Sequence, residues 1–140
     1  MTEQTRYVPS LAVENVPGNA IMNSYYRKEF WTGKHLQITL MSIPCCSCIG
    51  LELHPDTDQI IRVEQGFGLT EAGSTRDNLC FQRKLRTGDT VFVPAGTWHN
   101  ITNIGRMPLK LSSIYSPIEH PVGTKEKFKL SIKGMGFYRI

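Results

Sequence analysis

Hydrophobic residues in this chain come in short stretches set off by turn-forming residues, and where the pattern is regular its period is two. Leu36, Ile38 and Leu40 alternate with Gln37, Thr39 and Met41, as in a strand whose successive side chains point to opposite faces. Further short strands are predicted at 25–31, 49–54, 59–64, 68–71, 79–85, 90–94, 98–103 and 108–115. Twelve glycines and eight prolines divide these stretches, and none of them sustains a helical period. Many short strands separated by turn signals predict an all-β antiparallel sandwich or barrel. Residues 1–24 carry little pattern and are predicted to form an N-terminal arm, 25–120 the barrel and 121–140 a basic C-terminal extension.

The extension holds Lys125, Lys127, Lys129, Lys133 and Arg139, with Phe128, Leu130 and Ile132 interleaved. That alternation predicts an amphipathic strand with a solvated face. Composition adds bounds. With 140 residues the chain is long enough for one domain, and 40% hydrophobic against 20% charged residues argues against disorder. No apolar run approaches the roughly 20 residues of a membrane span, and the first residues lack a leader's apolar region. A cytoplasmic protein is expected. The formal charge of +4 comes without a nucleic-acid-binding module, so no nucleic-acid partner is expected; the positive field would favour an anionic small molecule.

Four cysteines stand at Cys45, Cys46, Cys48 and Cys80. Pro44-Cys45-Cys46-Ser47-Cys48 lacks the paired C-x2-C spacing of zinc ribbons, and a four-thiolate site would have to recruit Cys80. The segment reads as reduced thiols in a turn; a second metal site or a redox role has no support in the spacing.

Two segments carry candidate chemistry. In Gly50-Leu51-Glu52-Leu53-His54-Pro55-Asp56-Thr57-Asp58-Gln59, strand parity sets Glu52 beside His54 and turns Leu51 and Leu53 the other way. Two ligand-type residues at i and i+2 form one edge of a chelate. Asp56 and Asp58 shape the turn after Pro55. Gln59 then shares a face with Ile61 and Val63, leaving Asp58, Arg62 and Glu64 opposite. In the second segment, Pro94-Ala95-Gly96 turns the chain so that His99 enters a strand, with Asn103 four residues on.

Gly88, Pro94, Gly96, His99 and Asn103 match the second cupin motif, G-x5-P-x-G-x2-H-x3-N, at every fixed position. The first motif, G-x5-H-x-H-x3,4-E-x6-G, is matched with substitutions. Cys46 stands at its first glycine, Glu52 at its first histidine, His54 at its second, Gln59 at its glutamate and Gly66 at its last glycine. The chain thus resembles the small single-domain cupins. Trp31-Thr32-Gly33, Asp77-Asn78-Leu79, Tyr115-Ser116-Pro117 and His120-Pro121 are similar to one branch of them.

The resemblance implies a double-stranded β-helix, the cupin jelly roll, holding one divalent transition metal on Glu52, His54, Gln59 and His99. Such ligands suit Zn, with Fe, Mn, Ni or Co as alternatives. Without metal, Glu52 and His54 would hydrogen-bond each other. Leu51 and Leu53, turned outward, need cover from the arm or a second subunit, and a homodimer is expected.

Among other candidates, His35 reads as a surface residue at a turn. His120 follows the last barrel strand and is a candidate acid or base over the mouth, or a surface residue. Tyr115 and Trp98 read as packing residues, while Gln37 and Met41 share a face that could line the pocket.

Three functions compete, because this fold hosts many. The first is an aldose–ketose isomerase acting on a sugar or sugar phosphate, similar to the cupin mannose-6-phosphate isomerases, whose zinc site also combines two histidines, a glutamate and a glutamine. Glu52 or His120 would then be the base. The second is a non-haem iron dioxygenase built on His54, His99 and Glu52. The third is a non-catalytic, metal-dependent binder of a small molecule.

Overall fold

The computed structural model describes residues 7–129. Its elements are α1 (Val16–Met22) and nine strands: β1 (Arg27–Thr32), β2 (Gln37–Ile43), β3 (Asp58–Gln65), β4 (Phe67–Gly73), β5 (Phe81–Arg86), β6 (Thr90–Val93), β7 (Trp98–Asn103), β8 (Leu109–Ser116) and β9 (Lys125–Glu126). Six strands form one sheet in the order β6-β3-β8-β2-β1-β9, and three form the other, β5-β4-β7. Every pairing is antiparallel. The all-β expectation holds, and the two sheets make the jelly roll.

The inner face of the large sheet changes character along the barrel axis. Ile43 pairs with Leu109, Met41 with Leu111 and Val63 with Leu111. These meet Leu85, Ile101 and Ile49 in one buried cluster, where each fully buried aliphatic side chain contributes roughly 1.5–3 kcal/mol. Toward the other end the same faces carry Gln37 opposite Tyr115, Thr39 opposite Ser113, and Gln59 opposite Tyr115. All five of these residues are buried. One end of the barrel is thus an apolar plug and the other a polar chamber.

The predicted strand at 49–54 is corrected. Residues 47–54 run beside β7 with only isolated bridges, Cys48 to Thr102 and Glu52 to His99. The Ile49 amide donates to Ile101 (2.9 Å), whereas Glu52 and His99 exchange both bonds (2.9 and 3.0 Å), so one extra residue lies between. Gly50, at φ +93°, takes up that bulge. The consequence is functional: Ile49 turns into the core while Glu52 and His54 still turn into the chamber, which unbroken alternation would forbid.

The arm is more structured than its pattern predicts. Asn15 caps α1 by accepting from the Gly18 amide at 2.8 Å, and Pro17 sits in the first turn, where its missing N–H costs nothing. The helix packs on the outer face of β8, β3 and β2. There Glu64, on the same face as exposed Arg62, is buried and accepts from Ser112 Oγ (2.8 Å) and Arg62 Nε (3.1 Å). In the extension only β9 is strand among the described residues, pairing with β1. Phe128 is exposed, and Leu130, Ile132, Lys133 and Arg139 lie outside the described residues.

Gly73 ends β4 one position past Ala72, the partner of His99. A Cβ at Gly73 would collide with the carbonyl oxygen of Asn78. Gly73→Ala is therefore expected to cost about 1–3 kcal/mol, read as a lowered Tm; an unchanged Tm would show that the 74–78 turn yields freely.

Candidate metal centre and its pocket

Glu52, His54 and His99 converge in the polar chamber, all buried, with one ligand atom from each lying within 4.8 Å of the others. Glu52 and His54 arrive from the bulged segment and His99 from β7. Gln59 joins from the start of β3, with its Oε1 3.0 Å from His99 Nε2 and its Nε2 donating to Ser113 Oγ at 3.4 Å. The four positions singled out in the two motifs therefore meet in space.

The turn between β6 and β7 aims His99. The Gly96 amide donates to the His54 carbonyl at 2.9 Å, and the Ala95 amide to Asp58 Oδ1 at 2.9 Å. Gly88 and Gly96 have φ of +96° and +80°, which explains why the motif asks for glycine there. Asn103 is structural. Its Nδ2 donates to the carbonyls of Ile43 and Met107, both at 2.9 Å, and its Oδ1 accepts from the Gly105 amide.

Both histidines are anchored through their outer nitrogens. His99 Nδ1 lies 2.9 Å from the Thr97 carbonyl, and His54 Nδ1 lies 2.8 Å from Glu119 Oε1. A carbonyl or carboxylate oxygen only accepts, so Nδ1 carries the proton in each ring. This is the support that metal-ligating histidines require, since it fixes the ring and leaves Nε2 facing inward.

Burial pushes the His99 pKa down, against the pull of the Thr97 carbonyl and Glu52, so its ring is neutral and Nε2 holds a lone pair. That lone pair faces the lone pairs of Gln59 Oε1. A cation between them, or a reversed Gln59 amide, satisfies the contact. His54 behaves differently. Burial opposes its charge, but the hydrogen bond and negative charge of Glu52, joined by Glu119, raise its pKa. Burial likewise works to raise Glu52, and the His54 bond and the charge of Arg27 outweigh it, so its pKa is lowered. Without an ion the pair shares a proton between His54 Nε2 and Glu52 Oε2, 3.1 Å apart. A metal would replace that proton. One carboxylate, two oriented imidazoles and an amide oxygen fit a divalent transition metal.

Two residues around the site escaped the sequence reading. Arg27 is buried and bonds Glu52 Oε1 at 3.2 Å and Glu126 Oε1 at 3.1 Å. Burial opposes its charge, yet neighbouring Tyr115 and Glu52 keep its pKa above the ordinary value. Glu119 holds both His54 and Thr57. Neither belongs to a recognisable local pattern. Glu119→Gln is expected to weaken metal binding by roughly 10–100-fold, measured by competition with a metallochromic chelator; unchanged affinity would show that Glu119 does not orient His54.

Above Glu52 and His54 opens a cavity of about 650 Å³, whose wall includes Arg27, Glu119, His120 and Glu126. Gln37 reaches up from the chamber and clamps the strap that carries His120, donating to its carbonyl (2.7 Å) and accepting from its amide (3.0 Å). The His120 ring meets Tyr115 edge-on at 5.1 Å. Tyr115 is fully buried, which pushes its hydroxyl up to about 12. His35 is exposed at its turn, while Trp98 is half-buried and lies under the Arg76 guanidinium. Leu51 and Leu53 are half-buried.

The family model of the cupin domain matches residues 47–115. A crystal structure of BH2720 from Bacillus halodurans is 48% identical, with a TM-score of 0.84 over 85% of this chain and 90% of that one. The chain belongs to the cupin superfamily. This cupin is also 47% identical over 123 residues to YrkC of Bacillus subtilis, an alignment covering 88% of the chain and 66% of that protein. A structure from Acidithiobacillus ferrooxidans, assigned though not established as a sugar phosphate isomerase, shares the fold at 23% identity. Its TM-score is 0.52 over 60% of this cupin and 51% of that chain. Among the described residues no helix is long and apolar enough to cross a membrane.

Proposed function

We propose that this cupin is a metal-dependent enzyme that interconverts an aldose and a ketose. The observation carrying the reading is the pair of buried histidines, each held through Nδ1 with Nε2 turned toward Glu52 or Gln59, of which His54, with Glu52, lines an open cavity. A divalent metal held by Glu52, His54, Gln59 and His99 would polarise neighbouring substrate oxygens and steady negative charge on them. The chain supplies the rest. His120, on the cavity wall, takes a proton from the carbon beside the carbonyl and returns it to the neighbouring carbon. Glu52 is the weaker base, because Arg27 and His54 already engage both its oxygens.

The wall places the carboxylates of Glu52, Glu119 and Glu126 against the single guanidinium of Arg27. The charge of +4 on the chain is thus not focused here, and we favour a neutral sugar over a sugar phosphate. Two-histidine, one-carboxylate convergence also suits a non-haem iron dioxygenase, and a non-catalytic binder needs no base at all. Metal-reconstituted protein should exchange deuterium into the C2 position of a free aldose in deuterated water, and should stop when the metal is chelated. Oxygen uptake without exchange would replace the isomerase by the dioxygenase; tight sugar binding with neither would leave the binder. Pairing of two copies, which would cover Leu51 and Leu53, is part of the same reading.

A further inference from the structure

At the end of the barrel remote from the pocket, the chain places two thiols side by side. Cys45 and Cys46 are exposed and reduced, and their sulfurs lie 3.3 Å apart. The turn brings them together: the Ser47 amide donates to the Pro44 carbonyl at 3.1 Å, and Cys46 is the one described non-glycine residue at positive φ, +68°. This is the third position of a tight turn, where glycine is the residue without strain, and it is also the position at which the first cupin motif has glycine. Cysteine thus stands where the backbone favours another residue, a strain of the kind that collects at functional sites. Extended neighbours would point their side chains apart; the left-handed Cys46 is what brings the sulfurs to one side.

The pair is poorly suited to a structural disulfide. Adjacent Cα atoms are about 3.8 Å apart across a trans peptide, closer than the roughly 4.4–6.8 Å that disulfides span. Chelation of one soft atom by both sulfurs needs no such closure. Cys48 is half-buried and has a partner of its own, the Lys129 ammonium, which donates to its sulfur at 3.1 Å. The site is separate from the metal centre: Ser47 is bonded to Asn103, at one end of β7, and Glu52 to His99, near the other.

We propose that Cys45 and Cys46 form a two-sulfur binding site for a thiophilic ligand of the trivalent-arsenical class. The two thiols replace the oxo group of an arsenoxide, forming two As–S bonds. The oxo oxygen leaves as water with both thiol protons, and arsenic keeps its oxidation state. The probe is phenylarsine oxide, added to the reduced full chain, with intact mass and competition by a small dithiol as readouts.

One adduct per chain is expected. Cys45→Ser and Cys46→Ser should each bind roughly 100-fold more weakly, because the second bond loses its intramolecular advantage. Cys46→Gly should bind as weakly while raising Tm, which separates loss of the thiol from loss of the fold. Cys80→Ser should bind as the wild type does. Equal affinity in Cys46→Gly and wild type, or an adduct abolished by Cys80→Ser, would overturn the proposal.

Discussion

His99→Ala is expected to fold and to lose its metal. The imidazole is 1% exposed and lies in the polar chamber rather than in the apolar plug, so its removal should cost about 1–3 kcal/mol of stability. Metal affinity should fall much further. Removing only a group that orients a ligand costs roughly 10–100-fold, and His99 supplies a ligand nitrogen itself. Elemental mass spectrometry on reconstituted, desalted protein reads the result directly. A second reading comes from melting: metal at 100 times its dissociation constant stabilises the native state by about 2.7 kcal/mol, so added metal should raise the wild-type Tm and leave the variant's unchanged. Full occupancy in a folded His99→Ala protein would remove the centre from Glu52, His54, Gln59 and His99.

The largest expected loss of stability belongs to Arg27. Its guanidinium is 2% exposed and bridges Glu52 to Glu126. Arg27→Met keeps most of the side-chain volume but leaves the buried Glu52 carboxylate with His54 as its remaining partner at that end. Breaking a buried ion pair from one side costs about 3–5 kcal/mol, far more than the ~0–1 kcal/mol of an exposed pair. The metal-free variant should therefore melt on the order of 10 °C lower. Adding Glu52→Gln to Arg27→Met removes the stranded charge and should recover part of the loss, a coupling that a thermodynamic cycle isolates. Metal should recover part of it too, by neutralising Glu52. A shift below about 1 kcal/mol in the metal-free single variant would mean that water or His54 already compensates Glu52.

Arg27 and Glu119 mark the limit of what local pattern reveals. Glu52 and His54 were legible because they stand two residues apart and their chemistry coincides. His99 was legible because Gly88, Pro94 and Gly96 build the turn that aims it. Arg27 lies 25 residues before Glu52, and Glu119 lies 65 after His54. Their partners exist only once β1 and the strap after β8 are folded over the mouth. The helix at Val16–Met22 was missed for a similar reason: seven residues are too few to display a period, and its stability comes from packing on the large sheet.

What the sequence determined by itself is the alternation of faces, the short-strand architecture and the two motifs whose ligand-type residues meet in the chamber. Which face turns inward was decided only by the tertiary structure. Over residues 36–41 the alternation separates Leu36, Ile38 and Leu40 from Gln37, Thr39 and Met41, and hydrophobicity alone would turn the first set in. The structure turns in Gln37, Thr39 and Met41 instead, leaving Leu36 exposed and Ile38 toward the outer surface, while Leu40 is buried but outside the core cluster that Met41 joins. A period of two says which residues share a face, but not the sign of that face. Here the sign is set by pairing across the sheet: Gln37 and Thr39 lie opposite Tyr115 and Ser113, in a chamber that must be polar to hold buried charged groups, and Met41 lies opposite Leu111 in the apolar plug.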